Sequence, residues 1–255
     1  MSSKRQNDIL QVVKESGSAS ITGLADRLAV STETIRRNIK PLMDSGAVVK
    51  FHGGVMMPGT QSEDAPFQRR MQVNAEAKGR VAAIVRSLIS DGDSLILDNG
   101  TTTAYVAEAL GSRSGLIVVT NSAEIACRMC GRNDHRVFMA GGELSGDDAA
   151  AFGQASVEFL GQFEVKYAII SVGGLTTSGQ FANFHLFEAE YLRAAMRQAQ
   201  ETWVVTDASK FGREAPIRVC ELSAVDAIIC DAPPPAEFAV RCAAAGVRII
   251  TEPVN

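Results

Sequence analysis

The sequence predicts an α/β protein in two parts: an N-terminal winged helix-turn-helix and a C-terminal domain built on a mainly parallel sheet. Three observations carry this. Residues 1–58 read as three short helical patterns followed by two apolar strands around a Gly-Gly pair. Residues 59–74 show no sustained hydrophobic period and contain prolines, a glycine and mixed polar residues, which is the composition of a linker. Residues 75–255 alternate short, nearly continuous apolar runs with amphipathic helical segments, the pattern of strands covered on both faces by helices.

In the first part, "DILQVVKES" groups Ile9, Leu10, Val12 and Val13 on one side of a helix that Gly17 ends. Ser20 can cap a second helix, "ITGLADRLA", with Ile21, Leu24, Ala25 and Leu28 at helical spacing. In "VSTETIRRNIKPLMDSG", Ser31 is a suitable N-cap and Glu33 suits the positive end of the helix dipole. Ile35, Ile39 and Leu42 then face a core, which leaves Thr32, Thr34, Arg36, Arg37 and Lys40 on other faces. Pro41 predicts a kink or early fraying. "AVVKFHGGVMM" forms the wing, with His52 and Gly53 at its turn.

A recognition helix enters a DNA major groove only if its outward face offers donors and few acids. Here the candidates are Ser31, Thr32, Thr34, Arg36, Arg37 and Lys40, with His52 and Gly53 from the wing. Arginine suits phosphates and guanine edges, and small hydroxyl residues permit close approach. The charge distribution agrees: the chain carries a formal net charge of −4, yet its first 58 residues are net basic and the remainder net acidic. A helix-turn-helix of this size is expected to work in a homodimer or homotetramer, because one helix and wing make few specific contacts alone.

In the second part the strands read "SLILD", "LIVVT", "HRVFMAGG", "YAIISVGG", "TWVVTD", "DAIICD" and "VRIIT". Ligands of open α/β sheets gather beyond the carboxyl ends of strands. Polar residues stand there: Asp98, Gly100, Thr101, Thr102 and Thr103; Thr120, Asn121 and Ser122; Gly142 and Glu143; Gly173; and Lys210 within "DASK". Gly100 permits a tight turn, after which the amides and hydroxyls of Thr101 to Thr103 open a helix and can cradle a phosphate. Lys210 can add a positive charge. His185, in "NFHLFEAE", either lines the same site or simply opens a helix.

Other chemistries find little support. No G-x-G-x-x-G follows the first strand and no G-x-x-x-x-G-K-[ST] occurs. The three histidines are far apart, so no metal and no cofactor is expected. Five cysteines, including Cys127-x-x-Cys130, are read as ordinary buried or half-buried thiols. No apolar run approaches the ~18 residues of a membrane span, and the N-terminus does not lead into a signal-peptide core, so the expected location is the cytoplasm.

These motifs, in this order, resemble the DeoR family of transcriptional repressors over nearly the whole chain. "VSTETIRRNIKPL" with "GAVVKFHGGV" is similar to the family's N-terminal signature, and "DNGTTT", "VVTNS", "MAGGEL", "FEAE" and "VTDASKFGR" to its sensor motifs. "TSGQFANFHLFEAE" and "DASKFGR" resemble most the glycerol-3-phosphate regulon repressors. The resemblance implies operator DNA as a partner, a phosphorylated sugar or polyol as effector, and a sensor fold related to ribose-5-phosphate isomerase. It also implies that Ser171 and Gly174 stand where such isomerases carry catalytic aspartates, so Glu188 becomes a hydroxyl-binding group and no base remains for proton abstraction. The alternative is a sugar-phosphate isomerase with a DNA-binding appendage. Two departures stand out. Asn38 replaces a common aspartate and is expected to remove a negative charge near DNA, and Ser145 replaces a common arginine.

Overall fold

The computed structural model describes residues 2–16, 18–51, 54–56, 67–145 and 148–253. The chain divides into two compact units, Met1–Pro66 and Phe67–Asn255.

The first unit contains α1 (Ser2–Ser16), β1 (Ser18–Ser20), α2 (Ile21–Arg27), α3 (Thr32–Asp44), β2 (Val49–Phe51) and β3 (Gly54–Met56). Its core joins Ile9 and Val13 of α1, Leu24 of α2, and Ile35, Ile39 and Leu42 of α3 to Val48 and Val55. The helical spacing of these apolar residues is what brings three amphipathic helices together. β3 pairs antiparallel with both β1 and β2, so the wing is a three-stranded sheet rather than a hairpin alone.

Two expectations for α3 are corrected. Pro41 lies inside the helix, and α3 continues through it to Asp44. Pro41 removes only its own N–H bond; one turn on, the Ser45 amide still donates to the Pro41 carbonyl at 3.1 Å, and Gly46 at φ 71° then turns the chain. Asn38 does not face outward: it is 7% exposed, and its Nδ2 donates to the Thr34 carbonyl at 2.8 Å. Its amide therefore serves the inner face of the helix. Gly17, His52 and Gly53 lie outside the described residues.

The second unit begins with α4 (Phe67–Gln72), which occupies part of the stretch read as a linker. It is helical because Phe67 is buried in the core of this unit. There follow α5 (Ala75–Leu88), β4 (Ser94–Leu97), α6 (Thr101–Leu110), β5 (Ile117–Thr120), α7 (Ala123–Met129) and β6 (Arg136–Met139). A hairpin, β7 (Leu144–Ser145) and β8 (Ala150–Ala151), precedes α8 (Gln154–Leu160) and β9 (Val165–Ile170). The chain continues through β10 (Gly174–Leu175), β11 (Gln180–Asn183), α9 (Leu186–Arg197), β12 (Ala199–Thr206), β13 (Ile217–Glu221), β14 (Ala227–Cys230), α10 (Ala236–Ala245) and β15 (Arg248–Ile250).

The seven apolar runs form one sheet in the order β15-β14-β12-β9-β4-β5-β6, and every pairing in it is parallel. Alternate residues of each strand serve opposite cores. Leu95, Leu97, Val118, Ile169 and Val205 pack with α5, α6 and α7, whereas Ile96, Val119, Ile170, Val204 and Ile228 pack with α8, α9 and α10. Burial on both faces is why these strands read as continuous apolar runs. A smaller antiparallel sheet, β10-β11-β13, lies outside that pattern.

Strand order reverses between β4 and β9. From β4 the chain builds outward through β5 and β6, then returns to lay β9 on the other side of β4 and builds outward again through β12, β14 and β15. Such a reversal opens a crevice at the carboxyl ends of the two central strands. Cys127 and Cys130 prove exposed, contrary to the expectation of buried thiols, because α7 turns that face away from the sheet; Cys230 and Cys242 are buried. Among the described residues no helix is long and apolar enough to cross a membrane.

Candidate functional site

The residues at the reversal point meet across it. Asp98, directly after β4, is 3% exposed. Its Oδ2 accepts from both the amide of Ser171 at 3.0 Å and the Ser171 hydroxyl at 2.9 Å, directly after β9. Its Oδ1 accepts from the Gly100 amide at 3.3 Å. Burial pushes the Asp98 carboxyl above its usual range, and the hydrogen bonds from Ser171 and Gly100 and the proximity of Thr103 oppose that rise. The Asp98 side chain thus braces the loop.

Gly100 is required by contact and not by conformation. Its φ of −70° suits any residue, but a Cβ there would lie 1.9 Å from the Ser171 hydroxyl and 2.9 Å from its Cβ. With glycine at the N-cap, no side chain caps α6. The first amides of a helix have no partner within the helix, so those of Thr101, Thr102 and Thr103 are donors left for other acceptors, with the dipole behind them. Thr103 contributes through its amide alone, since its hydroxyl is buried and directed at the carbonyls of Asp98 and Gly100, at 3.0 and 2.7 Å.

Three further expected residues are likewise held by local structure. Thr120 Oγ1 accepts from the Ser122 amide at 3.1 Å, the Asn121 side chain donates to the Ala151 carbonyl at 3.1 Å, and Ser122 caps α7. All three are fully buried. Gly173 and Gly174 allow close packing: a Cβ on the first would meet Asn183 at 2.7 Å, and on the second the Arg213 carbonyl at 2.3 Å. Gly142 and Glu143 are exposed between β6 and β7. His185 stacks on Phe187 with ring centroids 5.1 Å apart, and Glu188 stands in the first turn of α9.

Sequence reasoning named Lys210 but missed Lys78 and Arg70. Lys78, on α5, is 5% exposed, and its Nζ donates to the Arg70 carbonyl at 2.5 Å. Burial lowers its pKa from 10.5 to about 8, with Asp207 opposing the fall and the positive charges of Lys210 and Arg70 adding to it. The Lys78 ammonium thus sits on the Arg70 carbonyl, and Lys210 adds positive charge that Lys78 feels. Around it, Asp207 accepts from the Asn74 side chain at 3.0 Å and from the Ser209 amide and hydroxyl. Arg70 pairs with Asp148 at 2.5 Å, and Asn99, next to Gly100, donates to the other oxygen of Asp148 at 3.5 Å. Lys78 drew no reading from the sequence, and Arg70 and Asn74 fell in the apparent linker. A lysine interrupting an otherwise apolar helix face was the one available signal.

In the first unit, Ser31 caps α3 by accepting from the Thr34 amide at 3.2 Å, with the two hydroxyls 2.9 Å apart. Arg36, Arg37 and Lys40 are exposed, and Thr32 is half-buried. The Arg36–Glu33 pair spans 3.8 Å between well-solvated side chains, which leaves the guanidinium lightly held. Among the described residues no group of three or more His, Cys, Asp or Glu is placed to hold a metal ion.

Comparison with known proteins agrees with the two-unit division. Residues 5–61 match the DeoR-like helix-turn-helix domain, and residues 73–232 match the DeoR C terminal sensor domain. The glycerol-3-phosphate regulon repressor of Escherichia coli (strain K12) is 35% identical over 91% of this chain and 92% of its own length. The HTH-type transcriptional repressor CsqR of the same organism is 29% identical over 96% and 94%. Among solved structures, the ribose 5-phosphate isomerase A of Methanocaldococcus jannaschii is 17% identical at a TM-score of 0.39, covering 54% of this chain and 55% of that one. The translation initiation factor eIF-2B of Pyrococcus horikoshii OT3 is 19% identical at a TM-score of 0.43, covering 64% of each.

Two predictions follow from this geometry. Gly100→Ala is expected to destabilise the second unit by ~1–3 kcal/mol, through overpacking and loss of the Ser171–Asp98 bonds. Ser171→Gly in that background should restore part of the loss in a denaturant titration. For Lys78, the folded pKa lies below the unfolded one, so between about pH 8 and 10.5 the folded state binds fewer protons and stability rises with pH. Lys78→Met should therefore be more stable than the parent at pH 7, by ~2 kcal/mol after the lost hydrogen bond. The advantage should shrink toward pH 10, as followed by melting temperature across that range.

Proposed function

The chain belongs to the DeoR family of transcriptional regulators, and on that premise we propose that it is a sequence-specific operator-binding repressor released by a phosphorylated sugar or polyol. The observation that carries the proposal is the uncapped start of α6, where three successive amides adjoin a loop tied to the Lys78–Arg70–Lys210 cations. An anion placed there gains the amides and the helix dipole together with positive charge drawn out of water. A phosphate fits this combination. The hydroxyls of Thr101 and Thr102 are further donors at the same point, and His185 and Glu188 are candidates for the sugar or polyol part.

The effector of first choice is a glycerol phosphate, because a relative aligned over nine-tenths of this chain carries that regulon in its name. Other sugar phosphates fit the same cradle. The target is then a carbohydrate catabolic operon, and the protein works in the cytoplasm as a homodimer or homotetramer. Repression needs α3 in the major groove, with Arg36, Arg37 and Lys40 supplying phosphate and base contacts and Ser31, Thr32 and Thr34 allowing close approach. His52 and Gly53 extend the contact from the wing. Release requires that the effector bind the DNA-competent and DNA-incompetent arrangements with different affinities.

Both halves of the proposal are testable separately. Arg36→Ala or Arg37→Ala should cost ~1–3 kcal/mol of operator binding and leave effector binding intact. Normal operator affinity in both variants, read by fluorescence anisotropy, would remove α3 from the interface. Conversely, Thr101→Ala combined with Thr102→Ala should abolish release by glycerol 3-phosphate while operator binding persists. Unchanged effector affinity in calorimetry would take the Thr101 and Thr102 hydroxyls out of the scheme.

A further inference from the structure

Asp148 is an anion already present beside the cradle. One of its oxygens is 2.5 Å from Arg70 Nη2 and the other 3.5 Å from Asn99 Nδ2, and both members of the ion pair are only 23% exposed. Asn99 immediately precedes Gly100, so the carboxylate is tied to the loop whose amides open α6. Arg70 is anchored from behind, since its carbonyl accepts from Lys78 Nζ and the neighbouring Met71 carbonyl accepts from the Tyr105 hydroxyl of α6 at 3.1 Å. Its Nε is buried with no hydrogen-bond partner. The arginine thus has one donor to spare in a site that already gathers positive charge.

Asp148 reaches this position on a strained piece of chain. Ala149 adopts φ 46°, a left-handed conformation that a residue with a Cβ rarely takes. Two backbone hydrogen bonds hold the segment: the Ala149 carbonyl accepts from the Ala123 amide, and the Ala151 amide donates to the Asn121 carbonyl, each at 2.9 Å. The strained residue sits directly between those bonds and the carboxylate. Beyond those backbone bonds, Arg70 and Asn99 are the side chains that the Asp148 carboxylate meets among the described residues.

We propose that Asp148 is a built-in competitor of the effector's phosphate, and that Arg70 and Asn99 are phosphate ligands which it occupies until the phosphate displaces it. This rests on the reading of the α6 start as the phosphate cradle. A dianion on the amides of Thr101 to Thr103 would stand beside Asn99, and like charge would repel the Asp148 carboxylate from that place. The guanidinium then turns its paired donors from carboxylate to phosphate, both of which suit its planar fork. The exchange makes the site selective. An uncharged sugar or polyol has nothing with which to displace a carboxylate from arginine, whereas its phosphate ester does. Because α4 is the first element of the second unit, re-pairing of Arg70 also changes what holds the end of that unit nearest in sequence to the DNA-binding domain.

The test measures binding of glycerol 3-phosphate and of inorganic phosphate to the full chain by calorimetry. Asp148→Asn keeps the size of the side chain and removes its charge, and should tighten both by about tenfold or more. Arg70→Gln should weaken both, and Arg70→Gln with Asp148→Asn should no longer show the gain from the Asn substitution. If Asp148→Asn does not fold, Asp148→Ser is expected to show the same tightening. Unchanged or weaker binding in whichever of these variants folds, with the parent protein binding through Thr101 and Thr102, overturns the competitor role and leaves the cradle standing. Binding of both ligands that is unchanged in Thr101→Ala with Thr102→Ala and also in Arg70→Gln instead sinks the cradle itself.

Discussion

Asp98 lies out of water directly after β4, and Ser171 and Gly100 return to its side-chain oxygens the hydrogen bonds that solvent would have supplied. That exchange joins the ends of β4 and β9, the two strands between which the sheet reverses its order. It also sets the entry to α6. Gly100 must be glycine because the Ser171 hydroxyl stands where a Cβ would be, and a glycine N-cap leaves the helix start without a side-chain partner. The brace at the reversal point and the uncapped start of α6 are consequences of one arrangement. A larger residue at position 100, or a larger one at 171, disturbs both.

The same arrangement explains what the sequence disclosed and what it did not. All seven strands of the parallel sheet were legible, because burial on both faces makes each a short apolar run with polar residues at its end. The three helices of the first unit were legible from the spacing of Ile9, Leu24, Ile35 and their neighbours. At the strand ends, however, residue type alone does not separate a ligand-facing group from a bracing one. Thr103, Thr120, Asn121 and Ser122 have the donors and acceptors of a binding site, and the structure uses them to satisfy carbonyls and amides of the turns they form. Strand ends must both stop a sheet and start a helix, so their polar residues are consumed first by the backbone.

The cations were hidden for a complementary reason. Lys78 is polar in a helix that otherwise reads as an ordinary amphipathic face, and only the fold shows that its side chain turns inward. α4 is six residues long and keeps its place through Phe67 and the contacts made by Arg70 and Met71. A helix that short has little propensity of its own and depends on tertiary packing, so neither periodicity nor composition announces it. Asn74, left-handed at φ 54°, bonds across to Asp207 instead of capping α5. Contacts of this kind join residues more than a hundred positions apart and leave no local pattern.

The two units handle positive charge in opposite ways, and the difference matches what each is proposed to hold. Arg36, Arg37 and Lys40 are exposed, and an exposed cation keeps its hydration, costs the fold little and meets a partner that arrives with its own counterions. Such charges suit an extended polyanion met along a surface. Lys78 is instead withdrawn from water far enough to lower its pKa, with Asp207 and the Arg70 carbonyl as partial compensation. A charge held in that state is under-solvated, and a small anion that enters beside it gains an interaction that water does not screen. The stability spent on burying Lys78 is thereby available as affinity for a compact, highly charged group, which is what distinguishes a phosphate ester from the neutral polyol it is made from.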